Sequence, residues 1–325
     1  MVFAEFIINT VGLTKYYHNI LAIDQMNLDV LKGEIFGLLG PNGSGKTTTI
    51  RILTGLIRPT SGEAIVAGYD IIKNTLRAKK QMGIVPDISN IYEELSALDN
   101  LLFAGQLYNV SKKDRNKRAE GFLKKFGLYE RKDEKVGNFS RGMKRRLTIA
   151  AALIHEPRIL FLDEPTTGLD VQSTKLIRTL LKELNENGVS IFLTTHYIEE
   201  ADVLCDRVAV IKNGRIIKVD TPEQLKQNIA TDHIIEVVFN KSNHIIEKLE
   251  QLFYVNKVTK IEDKFRIWVG STSESVPLII DFARENNLKV ISINTLKPSL
   301  EDAFIELTGL SSEIMIKEKE LVKKK

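Results

Sequence analysis

Cysteine is almost missing. Cys205 stands alone in 325 residues, so no disulfide can form within the chain, which fits a reducing compartment. Long apolar runs are missing too. The longest blocks are of the Leu147 to Ile154 kind, well short of the roughly 18 residues a membrane span needs. The first residues show no basic-then-apolar signal pattern, so a soluble protein is expected, and any membrane role must come through a partner. Charge of one sign is also scarce. The 46 Lys and Arg against 42 Asp and Glu leave a net charge of +4, spread along the chain rather than striped, which argues against nucleic acid as a partner. Hydrophobic residues, at 43%, suffice for the cores of two domains.

The stretch Gly40-Pro41-Asn42-Gly43-Ser44-Gly45-Lys46-Thr47 fits G-x-x-x-x-G-K-[ST] at every required position and follows the apolar run Ile35 to Leu39. That context is strand, glycine-rich turn, then a helix from about Lys46. Glycines let backbone N–H groups close around a polyphosphate, Lys46 supplies a point charge, Thr47 offers a hydroxyl to Mg²⁺, and the helix adds its positive end. Nucleoside triphosphate binding is expected. Upstream, residues 6 to 36 read as β-rich, with Tyr16 and Tyr17 before the loop. Either tyrosine offers a face for an adenine to stack on, or is a half-buried strand aromatic.

Further along, Gly83 to Asp87 reads as a strand running into a proline-ended loop. The chain from there to about Tyr108 reads as helical, with Leu95, Leu98, Leu101, Leu102 and Leu107 near helical spacing. Core is the simplest use of that face; a partner surface is the other. Ser111 to Lys125 reads as a solvated helix. Ser140 opens a helix whose Leu147 to Leu153 stretch is expected to be buried, and Ser140 itself reads as an N-cap. Ile159 to Leu162 is a buried-type strand ending in Asp163-Glu164-Pro165, the arrangement in which one acid holds Mg²⁺ and its neighbour orients or deprotonates water. Thr166 to Asp170 links into a helix near Ser173 to Asn185. Val189 to Thr195 is another such strand and ends at His196; a histidine at the C-terminal end of a strand, in a chain that also carries Lys46 and the two acids, is an active-site candidate.

Together these pieces resemble the ATP-binding cassette family, specifically the ATPase subunits of daunorubicin-resistance-type exporters. The resemblance covers about residues 5 to 225 with five ordered motifs and continues more weakly to about Gly309. It implies that Gly40 to Thr48 bind ATP and that Tyr17 stacks on adenine. It implies that Thr47 and Asp163 hold Mg²⁺, that Glu164 is the general base and that His196 senses the γ-phosphate. Ser140 and Gly142 match the signature motif, which completes the partner subunit's site. Two positions depart from the family pattern. Arg141 stands where a glycine is usual, and a side chain fits there only if it points away from the nucleotide. Asp87 stands where glutamine is usual, exchanging a neutral amide for a shorter anionic carboxylate beside the metal.

From Ile234 onward the order is strand, helix near Asn243 to Leu252, strands Val255 to Ile261 and Phe265 to Val269, helix Ser275 to Asn286 and strand Lys289 to Ile293, followed by a short helix after Pro298-Ser299. That is β-α-β-β-α-β, a ferredoxin-like layer. Residues 317 to 325 hold five Lys and two Glu, a composition expected to stay solvated. The expected organisation is an α/β P-loop NTPase cassette over residues 1–225, with a β-rich subdomain and a helical one at about 88–155. A linker at 226–233, a smaller α+β ferredoxin-like domain at 234–310 and a tail at 311–325 follow. The expected function is ATP hydrolysis powering export by a separately encoded transmembrane permease, as a homodimer on the cytoplasmic face of the membrane. The rival, a soluble cassette ATPase acting on nucleic acid or ribosomes, is disfavoured because neither a heptad insertion nor a second P-loop is present.

Overall fold

The computed structural model describes residues 5–227, 233–240, 245–296 and 299–310. It divides into two compact units, Met1–Thr221 and Pro222–Lys325, a little before the expected cassette end at 225. The expected linker lies mostly, and the charged tail wholly, outside the described residues.

The first unit opens with a long hairpin, β1 (Phe6–Tyr17) and β2 (Ile20–Leu31). In β2 Met26, Leu28 and Val30 are buried while Gln25, Asn27 and Asp29 face out, the period-two pattern of a half-buried sheet. Strand β3 (Ile35–Leu39) leads to α1 (Lys46–Leu53), β4 (Ser61–Val66), β5 (Tyr69–Asp70), α2 (Thr75–Lys79) and β6 (Met82–Val85). A helical layer follows: α3 (Ala97–Leu107), α4 (Lys112–Lys125) and α5 (Arg141–Leu153). Then come β7 (Ile159–Asp163), α6 (Val171–Glu186), β8 (Ser190–Thr195), α7 (Ile198–Leu204), β9 (Arg207–Lys212) and β10 (Arg215–Asp220). One sheet runs β2-β1-β4-β5; the other runs β10-β9-β3-β8-β7-β6. Every residue of β3, β7 and β8 is buried, as continuous apolar runs require when a sheet is covered on both faces. Because β9, β3, β8, β7 and β6 are mutually parallel, the segments leaving β3, β6, β7 and β8 emerge at one rim.

The stretch after Asp87 differs from its helical expectation. Helix begins only at Ala97, where the Ser96 hydroxyl caps it by accepting from Asp99 N–H at 3.0 Å, and Leu95 lies outside it. A Ser three residues ahead of an acid favours starting the helix there rather than carrying it through the loop. The Leu147 to Leu153 stretch is buried or half-buried, as expected.

His155 pins the helical layer to the sheet. Its ring stacks on Tyr108, the C-cap of α3, with centroids 3.6 Å apart and planes 2° from parallel. Its Nε2 lies 3.0 Å from Met82 O, and its Nδ1 is buried without a hydrogen-bond partner among the described residues. A second proton would find no acceptor, and burial lowers the pKa from 6.5 to about 4. A depressed imidazole pKa contributes stability that is present above pH 6.5 and is lost as pH falls towards 4. The loss of stability between pH 7 and pH 4.5 is therefore expected to be smaller in His155→Phe than in wild type by about 2 kcal/mol, measured by urea unfolding at both pH values. Equal losses would contradict it.

The second unit holds α8 (Pro222–Gln227), β11 (His233–Phe239), α9 (Ile246–Leu249), β12 (Val255–Ile261), β13 (Lys264–Val269), α10 (Thr272–Glu285), β14 (Val290–Leu296) and α11 (Leu300–Thr308). Its antiparallel sheet has the order β12-β13-β11-β14, the ferredoxin-like arrangement expected from the sequence. Ile235, Val237 and Phe239 of β11 share a core with Leu249, Ile279 and Phe282 of the helices. Helix α9 is shorter than expected, because the chain turns from Glu250 and Tyr254 takes φ 69°. Helix α10 starts earlier and β14 runs further than expected. Ser299 and Asp302 form a capping box on α11; Pro298 lies outside the described residues.

Candidate nucleotide site

Register alignment builds the site. Leu39 pairs with Thr195, Leu162 with Val85, and Asp163 with Thr194, so the glycine loop, His196, the two acids and Pro86-Asp87 all leave the sheet at the same level. The loop needs its glycines. A Cβ on Gly40 would lie 2.4 Å from Ile211 O, and Gly45 takes φ 108° with its Cβ position 2.7 Å from Ala22 O, a conformation and a fit open only to glycine. That second contact sets β2 against the loop. Tyr17 pairs with Ile20 at the tip of the same hairpin, half exposed, with Lys15 Nζ 5.2 Å above its ring.

Lys46 is 5% exposed and donates to Gly40 O at 2.8 Å and Pro41 O at 3.1 Å, with Glu164 Oε1 3.5 Å away. Asp163 Oδ1 accepts from Thr194 Oγ1 at 2.5 Å and lies 3.4 Å from Thr47 Oγ1. Glu164 Oε2 lies 2.8 Å from His196 Nδ1 and accepts from Thr167 Oγ1 at 3.0 Å. Burial opposes the charge on Glu164, but the hydrogen bonds and charges of His196, Lys46 and Thr167 outweigh it and hold the carboxyl below its ordinary range. It is ionised at neutral pH. The opposite holds for Asp87, an exposed residue whose carboxyl is raised by partial desolvation and by the nearby Glu164, with Arg145 opposing.

Lys46, Thr47, Asp163, Glu164 and His196 are thus brought together, and Asp87 faces them electrostatically. Thr48 is half-buried in the first turn of α1, Asn42 and Gly43 are exposed, and Pro41 is half-buried. Ser140 lies outside this group: its hydroxyl accepts from Met143 N–H at 3.3 Å as the cap of α5. Gly142 is buried against α6, where a Cβ would lie 2.3 Å from Ser173 Oγ. The Arg141 guanidinium covers Gly168, with Nη1 2.2 Å from where a Cβ on that glycine would sit. It is directed to the 166–170 link of its own chain. Two partners went unread in the sequence. Thr194 carries no signal beyond closing a strand. Arg145 is buried beneath the acids, donating to carbonyls at the ends of β6 and β7; its register with Gly142 and Ile149 on α5 is the signal that marks it.

The site fits a nucleotide and its metal. The Ser44 hydroxyl is buried within the loop with no hydrogen-bond partner among the described residues, an orphan that a phosphate oxygen satisfies. No acid stands in the first turn of α1, so the positive helix end is unopposed. Thr47 and Asp163 offer the hydroxyl and carboxylate oxygens that suit Mg²⁺.

Comparison with known proteins supports the nucleotide. The family model "ABC transporter" matches residues 23–167, and the model "ATP-binding protein DrrA1-3-like, C-terminal domain" matches 221–308. Linearmycin resistance ATP-binding protein LnrL of Bacillus subtilis is 38% identical over 92% of this chain and 97% of its own length. Daunorubicin resistance ATP-binding protein DrrA2 of Streptomyces coeruleorubidus is 36% identical over 93% and 95%. Among solved structures, the ATP-binding cassette MJ0796, a post-hydrolysis dimer bound to ADP and Pi, is 30% identical over 66% of this chain and 98% of its own, with a TM-score of 0.60. Identity at this level along nearly the whole length of two such relatives, on a cassette fold, leaves one assignment: the chain belongs to the ABC transporter ATP-binding proteins, the cassette ATPases that bind and hydrolyse ATP.

Proposed function

We propose that this chain is the ATPase subunit that drives export of an antibiotic-like small molecule through a separately encoded membrane permease. The carrying observation is the near full-length match to two resistance ATP-binding proteins, accessory domain included. Among the described residues no helix is long and apolar enough to cross a membrane, in keeping with a membrane path supplied by a partner. The surface around Asp87 to Tyr108 is the proposed contact, since Ile88 is 82% and Leu107 64% exposed there. The chain then sits at the cytoplasmic face of the membrane. Purification of the tagged chain from native membranes should recover a multi-span membrane protein in fixed ratio; recovery of ribosomes or nucleic acid in its place would contradict the proposal.

Two chains are proposed to close over two ATP molecules. In each site Tyr17 stacks on adenine, Gly40 to Thr48 cradle the phosphates, and Lys46 exchanges its loop carbonyls for phosphate oxygens. Thr47 and Asp163 would hold Mg²⁺, which neutralises phosphate charge when bound. Glu164, ionised and flanked by His196, accepts a hydrogen bond from the attacking water, and His196 positions the γ-phosphate end. Ser140 and Gly142 of one chain complete the site of the other.

Asp87 is proposed to lie beside the metal. Its carboxylate is a better hard-cation ligand than an amide but repels the γ-phosphate when no metal is present. Wild type should therefore prefer Mg·ATP over free ATP more strongly than Asp87→Gln does, by about fivefold for roughly 1 kcal/mol of screened repulsion. Equilibrium binding of a non-hydrolysable ATP analogue with Mg²⁺ and with chelator measures this. Equal Mg²⁺ dependence in both proteins would remove Asp87 from the metal site.

A further inference from the structure

Arg145 lies on the buried face of α5 that also carries Gly142, Ile149 and Leu153. Three successive carbonyls of the catalytic segment converge on its guanidinium: Nη2 donates to Asp163 O and to Glu164 O at 2.8 Å each, and Nε donates to Pro165 O at 2.9 Å. Nη1 donates to the other strand end, to Asp87 O at 3.3 Å and to Pro86 O. All five N–H donors of the side chain are used. Every acceptor is main chain, so none of these bonds occupies the carboxylates of Asp87, Asp163 or Glu164.

The backbone at Glu164 needs such support. Its φ of 47° is left-handed, a conformation that costs a non-glycine residue roughly 1–2 kcal/mol. The turn it produces brings neighbouring carbonyls to the same side, where each would be a buried acceptor in want of a donor. One guanidinium satisfies them together. Lysine cannot replace it, since an ammonium is a point charge with three donors and cannot span carbonyls from two strand ends.

We infer that Arg145 is a positioning residue for hydrolysis: it fixes the backbone that aims the Glu164 carboxylate and ties that backbone to the Pro86-Asp87 loop and to helix α5. This rests on the reading of Glu164 as the carboxylate that orients water. Because α5 begins at the Ser140 to Gly142 segment, one helical turn separates the part proposed to face the partner's nucleotide from the part that holds this chain's own Glu164. A shift of α5 or of the Pro86-Asp87 loop therefore moves the catalytic carboxylate.

The test uses the full-length chain with Arg145→Gln and Arg145→Lys, each alone and combined with Glu164→Gln, measured for ATP binding and steady-state turnover. Arg145→Gln should leave the Kd for ATP within about threefold and lower kcat about 100-fold, the size expected of a displacement near 1 Å. Arg145→Lys should recover only part of that loss. Added to Glu164→Gln, Arg145→Gln should cost less than about twofold more, because both changes act through one carboxylate. Losses that multiply in full, or a kcat for Arg145→Gln within about twofold of wild type, would overturn the inference. If Arg145→Gln does not fold, Arg145→Lys carries the same comparison. Loss of ATP binding in step with turnover in both variants also overturns it, since Arg145 would then serve the fold alone. Failure of the underlying reading has a different sign: Glu164→Gln by itself would keep its turnover.

Discussion

Glu164→Gln should lower ATP turnover by about 10²- to 10⁴-fold, the usual contribution of a group that accepts a proton or orients water, while ATP binding survives. The amide keeps the shape of the side chain and can still bond Thr167 and His196, which lie 3.0 and 2.8 Å from Oε2. What it loses is the negative charge that those neighbours and Lys46 hold in place. Steady-state phosphate release beside equilibrium nucleotide binding separates the two effects. Turnover within about tenfold of wild type would show that another group acts on the water.

Lys46→Ala should have the largest effect on binding. The ammonium stands 5% exposed between two loop carbonyls and Glu164, placed to trade those carbonyls for phosphate oxygens. A hydrogen bond to a charged group is worth about 1.5–3 kcal/mol, so the Kd for ATP should rise about 10- to 150-fold. Titration with a fluorescent ATP analogue reads this directly. An unchanged Kd with a folded protein would mean that the glycine loop binds something other than a polyphosphate.

The parts of the molecule that were legible in the sequence share a physical cause. Strands β3, β7 and β8 are buried throughout, so their apolar stretches Ile35 to Leu39, Ile159 to Leu162 and Ile191 to Leu193 are visible in the sequence, and the polar residues that follow them stand out. That made Lys46, Asp163, Glu164 and His196 visible, and the parallel pairing brings them to one rim. The ferredoxin-like order was legible because its strands and helices alternate in period. Elsewhere composition misled. Leu95 falls near helical spacing with Leu98 and Leu102, but Ser96 and Asp99 cap a helix that begins only at Ala97. Arg145 was hidden inside the basic trio Lys144-Arg145-Arg146, where charge alone suggests solvent. Only its position on the Gly142, Ile149, Leu153 face places it in the interior. The left-handed backbone of Glu164 leaves no local trace, because it is held on an ordinary residue by tertiary bonds, one that its carbonyl accepts from Arg145 and one that its N–H donates to the Thr194 hydroxyl. The resting place of Arg141 over Gly168 was constrained by sequence reasoning to point away from the nucleotide, yet its partner emerges only from packing.

Closure of two chains over two ATP molecules is the central claim, and the Glu164→Gln protein tests it most directly because it holds ATP without consuming it. Size-exclusion chromatography with light scattering, run with Mg²⁺ and ATP and again with neither, should give a dimer carrying one ATP per chain in the first case and a single chain in the second. A protein that binds ATP and yet remains a single chain with Mg²⁺ present would contradict the shared site.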